Sequence, residues 1–297
     1  MRKNALTICC FTCAFGAIGA FCRWLQNQLA FDEAGLPAAS AWNYIVPLVI
    51  IAAAVCFYTF IPKYKRSGLA MTSDFYDTFA GGTMLLVPGA WVIGGVMILG
   101  SLILIATADE NVNLVLFRIL AVLGVLSGVS FGLTAVCARR RFHPGLACLF
   151  STVPIIQFCM WLIISYKQNS TNPTVWAYAV EILAVAAALV ALYFFAGYTY
   201  GRVKPYSTLY SAMMGAFLCI VALADDRNFG LQLMLVSAAA MQLFWAWLIV
   251  SRRYKPEDAP VKDNPVTDNP APPAAEELSA NGQVRQIVEA FRADEQQ

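Results

Sequence analysis

Eight stretches of this chain carry no charged side chain: residues 5–22, 34–62, 78–108, 119–138, 144–166, 182–201, 205–224 and 228–251. A helix rises about 1.5 Å per residue, so each stretch is long enough, or nearly so, to cross a hydrocarbon core of roughly 30 Å. A transmembrane barrel needs short alternating segments, whereas these runs are continuous. Hydrophobic residues are 59% of the 297-residue chain and charged residues 13%, an excess that one water-soluble core cannot hide. The expected fold is therefore all-α: a polytopic membrane helix bundle of about eight transmembrane helices in residues 1–255.

Basic residues set the expected orientation. Arg2, Lys3, Lys63, Lys65, Arg66, Arg139, Arg140, Arg141, Arg202, Lys204, Arg252, Arg253 and Lys255 all fall in alternate connections. The intervening loops hold only Arg23, Lys167 and Arg227. By the positive-inside rule, both termini lie in the cytoplasm, with the cell membrane as the expected location. Trp24, Trp42, Tyr44, Trp176 and Tyr178 then mark the outer boundary, and Tyr64, Tyr198, Tyr200 and Tyr254 the inner one. The first stretch reads as a retained span and not a signal peptide, because the bulky Phe21-Cys22-Arg23-Trp24 follows its small residues.

The third stretch is charge-free for 31 positions and rich in glycine. It is expected to be one tilted or kinked helix extended from about Thr72, with a partly re-entrant segment as the alternative. The halves also resemble each other. Trp42-Asn43-Tyr44-Ile45-Val46 matches Trp176-Ala177-Tyr178-Ala179-Val180 at an offset of 134, and Phe60 and Tyr64 then fall on Phe194 and Tyr198. This suggests two parallel four-helix units, 1–141 and 142–255.

Charges inside a bilayer are costly, roughly 2.5–3.5 kcal/mol each at the centre on insertion scales. Arg118 and Glu181 are the two candidates, each about 8–9 Å below the outer boundary by helix rise. Each is expected to lie near enough the interface to snorkel or meet water, with an ion pair between them or a shared ligand cavity as the alternatives. Gln157 and Gln242 lie near mid-span and are expected to line a cavity or bond across helices. Gly124, Gly128 and Gly132 recur every fourth residue, a seam for close helix packing. Asp74 and Asp77 read as helix-start acids in preference to a Mg²⁺-diphosphate site.

Nine cysteines sit mostly within spans and His143 is the single histidine, so neither a disulfide framework nor a metal site is expected. The Asn169-Ser170-Thr171 acceptor motif lies too near the membrane to weigh. No cofactor, catalytic residue or nucleic-acid surface is read from the chain.

After Lys255 the composition changes. Prolines 256, 260, 265, 270, 272 and 273 punctuate a polar linker over 256–273. Within 274–297, Val284, Ile287, Val288 and Phe291 form one apolar helical face. A helix this short needs a surface to lie on, so it is expected to dock on a cytoplasmic protein or to self-associate. Small-solute transport, or service as the membrane subunit of a transporter, is the leading functional expectation. A scaffold, sensor or assembly protein working through its tail is the alternative, and a membrane enzyme ranks third for want of paired acids and histidines.

Overall fold

A computed structural model describes residues 2–30, 41–65, 71–72, 74–79, 86–107, 114–169 and 176–252. Within these, eight helices are long and apolar enough to cross a membrane. They are α1 (Arg2–Leu29), α2 (Ile45–Lys65), α4 (Leu86–Ala106), α5 (Leu114–Arg140), α6 (Pro144–Asn169), α7 (Trp176–Thr199), α8 (Pro205–Ala222) and α9 (Phe229–Ser251). A 3-10 turn, Ala41–Tyr44, leads into α2, and a five-residue helix, α3 (Phe75–Phe79), precedes α4. The chain is an integral membrane helix bundle. Residues 253–297, with the proline-rich linker and the Val284, Ile287, Val288, Phe291 stripe, lie outside the described residues.

Helix neighbours run α4, α5, α6, α7, α8, α9 and back to α4, a closed ring. The α1 helix docks on α8 and α9, and α2 lies against α1 and α8. In α8 and α9, 67% of the most apolar window is buried inside the protein, against 17% in α2. Small side chains explain that centrality. Ser211, Ala212, Gly215, Ala216, Cys219 and Ala222 are buried on α8, and Ser237, Ala238, Ala239 and Ala246 on α9. Without a hydrophobic drive between helices in lipid, such residues bring backbones close enough for dispersion to hold them. The neighbours of α2 and α7 differ, since α7 lies between α6 and α8 in the ring while α2 stands beside it.

Helices α4 and α5 approach backbone to backbone. A β-carbon on Gly94 would sit 2.3 Å from the Gly128 carbonyl oxygen, and one on Gly128 2.5 Å from that of Gly94. Gly124 meets Ser101 and Gly132 meets the Trp91 ring, so the every-fourth-residue glycines of α5 all face α4. Gly100 and Gly230 make a second backbone crossing, between α4 and α9.

The stretch expected to be one long helix from about Thr72 holds α3 and α4, and residues 80–85 between them lie outside the described residues. Asp74 caps α3 by accepting the backbone N–H groups of Tyr76 (2.9 Å) and Asp77 (3.1 Å). Helix α3 buries Phe75, Thr78 and Phe79 and packs on α5 and α9. Its polar face is tied to the α5–α6 turn: Tyr76 donates to the Phe142 carbonyl at 2.5 Å, and Asp77 pairs with Arg141 at 3.1 Å. The acids thus begin and anchor a helix. In that turn Arg141 takes φ 49° while Phe142 N–H bonds the Cys137 carbonyl, a left-handed helix stop, and Pro144 opens α6.

A candidate polar site at one end of the bundle

The two ends of the bundle differ in charge. Arg139–Arg141, Arg202 and Lys204 lie at the end where α5 and α7 finish, here the basic end. At the other end, four charged side chains are buried together.

Arg23 is 1% exposed, because α1 continues as a helix to Leu29 and carries it into the packed interface with α8. Its Nε donates to Asp225 Oδ1 at 2.7 Å and its Nη1 to Gln26 Oε1 at 2.7 Å. Asp225 stands in the short α8–α9 connection and is 6% exposed. It also accepts from Asn27 Nδ2 (3.2 Å) at Oδ1 and from Arg227 Nη2 (2.7 Å) at Oδ2. Arg227 reaches on to Glu181 Oε2 on α7, and Glu181 Oε1 accepts the indole N–H of Trp161 on α6 at 2.9 Å. The result is an alternating chain, Arg23–Asp225–Arg227–Glu181, that joins α1, the α8–α9 connection, α7 and α6. Each charge has an opposite neighbour, and Arg23, Asp225 and Glu181 have further hydrogen bonds, the condition under which buried ions are tolerated.

The connection itself is fixed from several sides. Asn228 caps α9 by accepting the Gly230 N–H at 2.9 Å and exchanges side-chain hydrogen bonds with Thr107 at the end of α4. Gln232 Nε2 donates to the Asp225 carbonyl at 3.3 Å, and Asn27 Nδ2 to that of Ala224 at 3.3 Å. Six residues between two spans are thereby pinned to α1, α4, α7 and α9.

Above the network opens a cavity of about 580 Å³. All four networked charges line it, together with Gln168, Tyr178, Asp226 and Asn228. Among the lining groups without a hydrogen-bond partner among the described residues are the exposed Asp226 carboxylate and the buried Nε2 of Gln168. At the basic end a cleft of about 20 Å³ is filled by aromatic rings. Phe79 meets Phe195 and Tyr198 edge-on, and Phe195 stacks on Trp245 at 3.8 Å. Phe75 and Phe79 of α3 are part of that lining.

The Arg118–Glu181 pair, an alternative suggested by equal depth, is not the pair that forms. Arg118 is exposed on α5, α6 lies between α5 and α7 in the ring, and Glu181 is taken by Arg227 and Trp161. Equal depth says nothing about which helix face a side chain occupies. Gln157 and Gln242 are both buried, and each amide N–H₂ meets only sulfur: Met97 Sδ at 3.6 Å and Cys219 Sγ at 3.9 Å. Their Oε1 atoms find no partner among the described residues. Gln242 borders an apolar pocket of about 10 Å³ and not the polar cavity. Among the described residues no group of three His, Cys, Asp or Glu side chains could hold a metal ion.

Arg23, Asp225 and Arg227 were not singled out by sequence reasoning, which set Arg23 and Arg227 among the outer-loop charges. A signal was present. Asp225-Asp226-Arg227-Asn228 separates two apolar runs by only a few residues, and so short a connection holds its charges against the helix ends. Comparisons of the chain with protein-family models, with curated proteins and with solved structures return no match.

Proposed function

We propose that this membrane protein is a small-solute transporter, or the membrane subunit of one, that admits a polar solute through the cavity over the Arg23–Asp225–Arg227–Glu181 network. One observation carries the reading: buried charges from α1, α7 and the α8–α9 connection converge beneath a cavity of about 580 Å³. Ionisable groups set into a bundle of apolar spans are costly and mark solute or ion paths. Asp226 is the carboxylate left over once Asp225 and Glu181 are paired, so the solute carries an ammonium or similar cationic group, with an acceptor for Gln168. The aromatic plug at the basic end supports a closed inner gate in this conformation. The distribution of Lys and Arg supports an exterior cavity, cytoplasmic termini and residence in the cell membrane. On this reading the Val284, Ile287, Val288, Phe291 stripe is the contact for a cytoplasmic partner or a second copy.

Purified protein in liposomes, loaded and challenged with labelled amino acids and small amines, tests the proposal. Protein-dependent exchange of at least one compound, reduced tenfold or more by Asp226→Asn in protein of unchanged melting temperature, is the expected result. No exchange across the panel by folded protein returns the chain to the scaffold class.

A further inference from the structure

A second cavity lies on the opposite end, on the flank of α6 and α7. It measures about 630 Å³ and is lined by Thr152 and Ile155 of α6, Tyr193, Phe194 and Tyr200 of α7 and its turn, and Arg202 and Lys204 beyond. The lining changes character along its length. Ile155 and Phe194 belong to the apolar spans, whereas Arg202 and Lys204 come just after Thr199, where the α7 span ends. Tyr193 and Tyr200 are 67% and 56% exposed on this flank.

The two cations are held there by backbone geometry. Gly201 takes φ +70°, the left-handed conformation that ends a helix, and the Arg202 N–H bonds the Gly197 carbonyl at 2.7 Å. A β-carbon on Gly197 would lie 2.8 Å from the Arg202 carbonyl oxygen, so the fold-back requires glycine at that position. Pro205 then starts α8 immediately after Lys204. The turn therefore presents Arg202 and Lys204 over the groove on a short, doubly fixed segment.

Among the described residues no acid answers them. The acidic side chains among the described residues are Asp74, Asp77, Glu181, Asp225 and Asp226, and none lines this groove. Neither Arg202 nor Lys204 forms an ion pair among the described residues. The hydroxyls at the mouth are arranged in one direction. Thr152 Oγ1 donates to the Cys148 carbonyl at 2.9 Å, which leaves the Tyr200 hydroxyl as donor in their 3.0 Å contact. The Tyr200 oxygen keeps acceptor capacity toward a hydroxylated headgroup.

We infer that this groove is a binding site for an anionic glycerophospholipid, with Arg202 and Lys204 on the phosphate and the acyl chain along Ile155, Tyr193 and Phe194. A soluble phosphate would use the cations but leave the apolar wall uncovered. A lipid covers both, which is why the lipid is the assigned occupant.

Full-length protein in detergent, titrated with phosphatidylglycerol, phosphatidylcholine of the same chains or inorganic phosphate, tests the assignment by native mass spectrometry and melting temperature. Phosphatidylglycerol should remain bound and raise the melting temperature, and phosphatidylcholine and phosphate should do neither. Arg202→Gln and Lys204→Gln should each weaken phosphatidylglycerol about fivefold, and together roughly 30-fold, as two basic residues at an anionic surface do. Arg202→Lys with Lys204→Arg, which keeps both charges, should retain binding. Equal binding by the double glutamine variant overturns the site, as does equal protection by inorganic phosphate or failure of the charge-preserving pair. Should the double variant not fold, the single variants decide on the same scale.

Discussion

The two ends of this bundle use the same residue types in opposite ways. At one end Arg23 is 1% exposed and held by Asp225, and Arg227 is held by Asp225 and Glu181. At the other, Arg141 pairs with Asp77 with its side chain 68% exposed, and Arg202 and Lys204 stand open to a groove. The buried charges bind helices to one another, so the loss of one inner member, Asp225 or Arg227, leaves an outer charge without its opposite. The exposed ones are already served by water, and their removal leaves nothing unsatisfied. An ion pair's worth is therefore set by what its partners would do alone.

The largest effect expected from this contrast is at Asp225. Replacement by Leu strands Arg23 in a buried setting, leaves Arg227 with Glu181 alone, and should cost about 3–5 kcal/mol, read as a large fall in melting temperature in detergent. A fall no larger than that for Asp77→Leu would break the comparison. Glu181→Gln keeps an acceptor for the Trp161 indole but loses the charge facing Arg227, and should cost about 1.5–3 kcal/mol. Arg118→Leu, on an exposed face of α5, should change stability far less than either.

A double-mutant cycle sharpens the same point. Arg227→Leu and Glu181→Leu should be coupled by about 0.5–3 kcal/mol, while Arg118→Leu and Glu181→Leu should add. Coupling in the second cycle and not the first would reassign the partner of Glu181. The smallest effect is expected at the exposed pair: Asp77→Asn or Arg141→Gln should cost about 1 kcal/mol or less, and added salt should diminish it further.

Span number and helix type were legible in the chain because the bilayer imposes one simple demand on every crossing segment. All backbone polar groups must be satisfied within the segment, so any long apolar run becomes a helix. The α5 glycines were legible for a similar reason, since a repeat of four places small residues on one helical face. The burial of α3 was not. A charge-free stretch shows where charges are absent, and not that Phe75 and Phe79 turn into the bundle.

Partner choice was beyond the reach of composition altogether. Arg118 and Glu181 were noticed because they interrupt apolar runs, a property of one dimension. Glu181 meets Arg227 because the α8–α9 connection folds over α7, and Arg118 faces away because α6 occupies the place between α5 and α7. Hydrophobic run length decides that a segment crosses a membrane, since transfer into lipid depends on the segment alone. Neighbours in the ring, and hence which buried charge neutralises which, depend on how small side chains let particular helices approach. That is a property of surfaces brought together in three dimensions, and only the tertiary structure decides it.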